Sequence, residues 1–206
     1  MSSQIFAGDA SGSVTIQCPA VAGTNVLTLP LSNGMIPGEM IYRLNTAVLG
    51  LDSTAVQNVL GVGITLNSST VYQFEAYYVL TKTAGATSHT IGLSFGGTAT
   101  LNNITWQGIA QWTASSSNPV GLTATPQTIY SNVATNTTAS AALANAATYF
   151  YTVFRGTVSV SAAGTFIPQY QLSAAPTGGA YTTQIGSYFK LSPMGTAGTI
   201  NVGGWA

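Results

Sequence analysis

From residue 70 the chain reads TVYQFEAYYVLT, in which Tyr72, Phe74, Ala76, Tyr78 and Leu80 occupy every second position. A period of two fits a strand with one buried face and cannot place those residues on one face of a helix. The same alternation recurs downstream. SHTIGLSF sets His89, Ile91, Leu93 and Phe95 on one side, and NITWQGIAQW does the same for Ile104, Trp106, Gly108, Ala110 and Trp112. TYFYTVFRGTVSV groups Phe150, Phe154, Val158 and Val160, and IGSYFKL groups Ile185, Phe189 and Leu191. MIYRL, VGITL and TPQTIYS are shorter strand candidates.

Punctuation supports the same reading. FGGTAT and PTGGAY lack the lysine and following helix of a phosphate loop and read as tight turns. Pro168 inside TFIPQYQL predicts an edge strand or a bulge, because proline has no N–H for a ladder. One segment departs: STAVQNVLG spaces Val56, Val59 and Leu60 helically, with Asp52 or Ser53 as N-cap and Gly61 as stop, which predicts one or two helical turns. The alanine-rich ASAALANAA has Thr, Asn and Ser flanks and stays open between helix and loop. About eight strands with regular turn signals predict an all-β chain, a two-sheet sandwich of jelly-roll type.

The N-terminus reads differently. In SGSVTIQCPAVAGTNVLTLP, Val14, Ile16 and Cys18 alternate with Thr15 and Gln17; Pro19, Gly23 and Asn25 interrupt; then Leu27 and Leu29 resume the alternation up to Pro30. SNGMIPGE follows as a linker. Two short strands alone are marginal in water, so this ribbon needs another surface. The expected division is an N-terminal β arm and linker over residues 1–38 and a sandwich domain over 39–206.

Charge narrows the function. Asp, Glu, Lys and Arg make up 4% of the chain, with zero formal net charge, against about 25% charged residues in an ordinary domain. Such a surface has little self-repulsion and suits association with partners. Four cations dispersed along the sequence cannot neutralise a run of phosphates, so nucleic acid is not expected as a partner. No apolar run approaches the ~20 residues of a membrane span. There is no basic amphipathic segment for a membrane surface, and MSSQIFAGDAS has no signal-peptide pattern. One cysteine, Cys18, allows neither an internal disulfide nor a multi-cysteine metal site and reads as a small buried hydrophobe.

Catalytic inventory is thin. The single histidine, His89, stands at a strand start and reads as a polar residue on a hairpin rim. Asp9, Glu39, Asp52 and Glu75 fall in different elements, which does not fit the paired carboxylates of a glycosidase or the clustered oxygens of a cation site. Glu75, on the polar face of its strand, is expected to bridge to a neighbouring strand. Trp106 and Trp112 share a core face; Trp205, in NVGGWA, is a candidate to fill a pocket on a neighbour. Sequons at Asn67, Asn103 and Asn136 follow from Asn, Thr and Ser richness. No catalytic, cofactor or metal residue is expected, and the chain reads as non-enzymatic.

Two stretches carry a resemblance. GDASGSVTIQCPAVAGTNVLTLP resembles a segment frequent in tailed-bacteriophage structural proteins, with Cys18 where a small residue is usual. LNSSTVYQFEAYYVLTKTAGATSHTIGLSFGGTAT, with FRGTVSVSAAGTFIPQYQLSAAP and IGSYFKLSPMG, resembles a β domain of phage appendage and virion-surface proteins. The resemblance implies a jelly-roll-like domain that assembles as a homotrimer and has no enzymatic activity. It implies a virion location: a decoration or cement protein on the outer capsid surface, with the major capsid protein as partner. The alternative is a head or tail fibre attached to tail or portal components and binding host glycans.

Overall fold

The computed structural model describes residues 3–7, 13–17, 38–113 and 126–200. The chain divides into two compact units, residues 1–34 and 35–206.

In the first unit, β1 (Ser3–Ala7) pairs antiparallel with β2 (Ser13–Gln17), Ser3 opposite Gln17 and Ala7 opposite Ser13. The sequence reading paired the Val14–Cys18 strand with the one through Leu27 and Leu29. Instead its partner is SQIFA, which lies just before it in the sequence. Leu27, Leu29, Cys18 and Asp9 lie outside the described residues, as does Trp205.

The second unit is all-β; no helix occurs among the described residues. Its strands are β3 (Met40–Arg43), β4 (Val48–Leu49), β5 (Gln57–Asn58), β6 (Ile64–Leu66), β7 (Thr70–Lys82), β8 (Ile91–Gly96), β9 (Thr100–Thr113), β10 (Gln127–Ser131), β11 (Thr137–Thr138), β12 (Thr148–Ala162), β13 (Gly164–Leu172), β14 (Thr182–Thr183) and β15 (Tyr188–Thr196). They form two antiparallel sheets. An eight-stranded sheet runs β10-β9-β12-β7, beyond which β15 with β3, and β14 with β4, continue along different lengths of β7. A five-stranded sheet runs β11-β8-β13, with β5 and β6 sharing the far side of β13.

The alternating residues fill the space between the sheets. Tyr72, Phe74, Ala76, Tyr78 and Leu80 are buried, as are Ile91, Leu93, Phe95, Phe150, Phe154, Val158 and Val160. Phe95 and Phe166 of the smaller sheet stack at 4.8 Å, while Phe74, Phe154 and Trp106 of the larger sheet pack around Phe95 at 5.2–6.0 Å. Edge and offset ring contacts of this kind add about 0.5–1.5 kcal/mol per pair beyond area burial.

Two local expectations are corrected, and one left open is decided. The helix through Val56–Leu60 is absent: β5 runs extended beside β13, and the Val59 N–H donates to the Pro168 carbonyl at 2.9 Å. Gln57 ties the preceding loop to itself, donating to the Leu51 carbonyl at 3.0 Å and accepting from the Tyr170 hydroxyl at 2.9 Å. Local helical spacing thus yields to long-range pairing. The alanine-rich segment is likewise non-helical; its Leu143 exchanges both backbone hydrogen bonds with His89. Ile185 is 58% exposed, because a turn intervenes before β15 and resets the alternation.

Pro168 is not on a free edge. β13 is paired on both sides, but β6 ends opposite Phe166 and β5 begins opposite Gln169, so Pro168 sits at the gap between its two partners. Its carbonyl points to that side, toward Val59, so its missing N–H also falls there, where the ladder is interrupted.

Candidate functional site

The four cations of the chain are Arg43, Lys82, Arg155 and Lys190; with the single histidine they define two chemically distinct regions. The first is internal. Lys82 ends the inward-facing row of β7 that begins at Thr70 and is buried. Its ammonium donates to the carbonyls of Gly85 at 2.5 Å, Ala146 at 3.1 Å and Asn145, and lies 5.8 Å from the centre of the Tyr181 ring. Three carbonyl acceptors require three N–H donors, which only the protonated amine provides. Burial pushes the Lys82 pKa down, with Asp52 opposing.

His89 belongs to the same region. The rim reading is corrected: its residual exposure is 2%. Nδ1 lies 2.7 Å from the Thr87 carbonyl and Nε2 lies 2.9 Å from the Tyr181 hydroxyl. A carbonyl only accepts, so Nδ1 carries the proton, and in the neutral ring Nε2 accepts from Tyr181. Burial lowers the pKa of His89; the Thr87 carbonyl raises it, the Lys82 charge lowers it, and Asp52 raises it. Burial also pushes the Tyr181 hydroxyl up strongly. Both ring nitrogens are occupied by the protein's own groups, an arrangement that holds the 82–89 connection against the 143–148 segment and Tyr181.

Asp52 is not a helix cap. Its carboxylate accepts from the backbone N–H groups of Thr177 at 3.1 Å, Gly178 at 2.5 Å and Gly179 at 3.3 Å. Thr177 and Gly178 have φ of 63° and 93°, the left-handed conformation that turns successive N–H groups toward one acceptor. The PTGGAY turn expected from sequence is therefore closed by a carboxylate from far upstream.

The second region is the outward face of the eight-stranded sheet, whose registers align side chains in rows. One row runs Thr128, Ile109, Val153, Tyr77, Tyr188 and Arg43; the next runs Tyr130, Gln107, Arg155, Glu75, Lys190 and Ile41. A third holds Thr105, Thr157, Gln73 and Ser192. The first row is apolar and aromatic at its centre, with Ile109 and Val153 more than half exposed. The third is uncharged and polar.

Between them the charges are unevenly matched. Lys190 bridges to Glu39 at 2.8 Å, the single salt bridge among the described residues, and Arg43 donates to Asn45 at 2.8 Å. Glu75 does not form the cross-strand salt bridge expected of it. It stands in register between Arg155 and Lys190, yet accepts from the Tyr188 hydroxyl at 2.7 Å, a bond that raises the Tyr188 pKa. The Arg155 guanidinium, alone among the four cationic groups, makes no hydrogen bond or ion pair with the described residues. It walls two depressions. One of about 420 Å³ is lined by Gln73, Thr105, Gln107, Tyr130, Thr157 and Met194; one of about 390 Å³ lies toward Ile109 and Val153. Trp106 is buried beneath the first, with its indole N–H on the Val133 carbonyl at 3.2 Å. Trp112 is only half-buried.

A third surface lies at the open edge formed by β3 and β4. Ile41, Tyr42, Leu49, Leu51 and Val62 are exposed there, and a mostly apolar groove of about 210 Å³ runs between β3 and the 60–64 segment. No group of three or more metal-ligating side chains occurs among the described residues, and no helix is long and apolar enough to cross a membrane.

Sequence parity held a usable signal for part of this. Lys82 follows Leu80 on the inward phase of its strand, and His89 precedes Ile91 on its own. Tyr181, in a loop, had no periodic signal. No family model, curated protein or solved structure matches the chain.

Proposed function

We propose that the protein is a non-enzymatic structural component of a tailed-phage virion, a decoration or cement protein of the outer capsid surface. The carrying observation is the two-part organisation: a short hairpin, β1–β2, belongs to a compact unit of its own, apart from the two-sheet sandwich. An isolated hairpin is marginal in water, so its stability is best supplied by a partner surface. In this reading residues 1–38 contact the major capsid protein and residues 39–206 form a jelly-roll-type domain facing outward. The exposed apolar side chains Ile41, Tyr42 and Leu49 along β3 and β4, in a chain with few charges overall, suit packing among three copies. The only histidine, with both nitrogens engaged, fits a structural role.

Attachment tests this directly. Full-length protein and a form lacking residues 1–34 are mixed with particles that lack the protein, at low and high salt. Full-length protein is expected to bind with little salt sensitivity, since the removed segment's only charge is Asp9, and the truncated form is expected not to bind. Equal occupancy by the two forms contradicts the arm's role. Sedimentation tests assembly: a trimer is expected, and a stable monomer at micromolar concentration contradicts it.

One observation favours a second reading, a fibre or adsorption protein that binds host glycans. It is the polar depression beside Arg155, which the decoration role does not require.

A further inference from the structure

We propose that the depression on the outward face of the eight-stranded sheet binds an acidic saccharide, with Arg155 taking the carboxylate and Tyr130 stacking on the sugar ring. The inference deepens the adsorption reading and rests on it for its biological role; binding in solution does not depend on where the protein sits on a particle.

Composition of the walls points to a sugar. Gln73 and Gln107 offer amide donors and acceptors, and Thr105 and Thr157 offer hydroxyls. These match the mixed donor-acceptor pattern of sugar hydroxyls. Register sets them on adjacent strands of one face, Thr105 opposite Thr157 and Thr157 opposite Gln73, with Gln107 between Tyr130 and Arg155. Tyr130 is 65% exposed on β10, the strand that borders the sheet, and lines the depression. An exposed aromatic beside amides and hydroxyls presents one apolar plane and several polar contacts, the combination a pyranose requires.

Charge points to an acid. In a chain with four cations, the one whose side chain has no partner among the described residues is at this depression. A guanidinium pairs a carboxylate through two parallel N–H groups. Glu75 faces Arg155 across the strand pair but is engaged by Tyr188 and has Lys190 on its other side. The row from Arg155 to Lys190 therefore holds two cations and one carboxylate, with Glu39 on the far side of Lys190. The depression, about 420 Å³ and open to solvent, has room for a sugar unit with one face left exposed.

The test is calorimetric titration of the full-length protein with trigalacturonate and with sialyllactose, each against a neutral counterpart, the methyl-esterified trigalacturonate and lactose. At least one acidic probe is expected to bind, and its neutral counterpart at least tenfold more weakly. Arg155→Gln is expected to weaken acidic binding at least tenfold and Tyr130→Ala about fivefold, both with unchanged melting temperature. Binding of neither acidic probe overturns the proposal, as does binding undiminished by Arg155→Gln. A polyglutamate peptide that binds as tightly as the better saccharide also overturns it, because the site would then read a protein carboxylate. Normal particle attachment with no saccharide binding removes this inference and leaves the decoration reading standing.

Discussion

Lys82 and Arg155 are two cations on neighbouring strands of one sheet, and their surroundings are opposite. Lys82 points between the sheets and has three carbonyl partners and an aromatic face. Arg155 points outward and has no partner in the described chain. Burying an ammonium costs several kcal/mol unless its hydrogen bonds are replaced, and here they are. Leaving a guanidinium in water costs nothing and keeps its five donors for a visitor. In a chain so poor in charge, the contrast separates a cation that holds the fold from one available for recognition.

Removing groups on either side of this contrast gives a graded series. Phe74→Ala sets the scale of the shared core: Phe74 touches rings from both sheets, and its loss should cost about 3–5 kcal/mol in urea unfolding. A loss below about 0.5 kcal/mol would mean that the two sheets do not share that core.

Lys82→Met comes next. It removes the donor shared by the Gly85, Asn145 and Ala146 carbonyls, of which Asn145 keeps the Thr148 hydroxyl at 3.3 Å, and should cost about 1–3 kcal/mol, the usual contribution of hydrogen bonds to a charged group. A neutral outcome would place Lys82 with Arg155 rather than opposite it.

Acidification probes the same cluster through His89. Its folded-state pKa lies below the ordinary 6.5, so the unfolded chain binds the proton first as pH falls. The stabilisation is therefore complete above about 6.5 and is lost progressively below it, through the folded value. Thermal melts taken between about pH 7 and pH 5 should show wild type losing stability faster than His89→Gln. Parallel slopes would contradict the enclosed neutral ring.

The smallest effect belongs to Arg155→Gln, which should change stability by less than about 0.5 kcal/mol, as for other partnerless surface groups. A larger loss would give Arg155 a structural role and erase the contrast.

How much of this was readable in advance divides along the same line. The core rows of β7, β8, β9 and β12 were legible because strand parity maps directly onto burial. Val56, Val59 and Leu60 misled because their spacing fits a helix as well as a strand lying beside β13, and only the distant Pro168 carbonyl decides. Ile185 misled because parity does not survive a turn. The β1–β2 pairing was missed because SQIFA is too short to stand out beside the longer alternating segment that follows. The buried cluster depends on Tyr181 and on backbone carbonyls at residues 85, 145 and 146, which carry no sequence label. Arg155 was visible as a polar-face residue, but its lack of a partner is a property of register: Glu75 lies opposite and is engaged elsewhere.

The central proposal is that this chain decorates a phage capsid, and electron microscopy of the intact particle at subnanometre resolution tests it most directly. The account predicts density for the two-sheet sandwich in threefold clusters over the outer capsid surface, in hundreds of copies, joined to the shell through the N-terminal hairpin. A handful of copies confined to the tail would contradict it and select the adsorption reading.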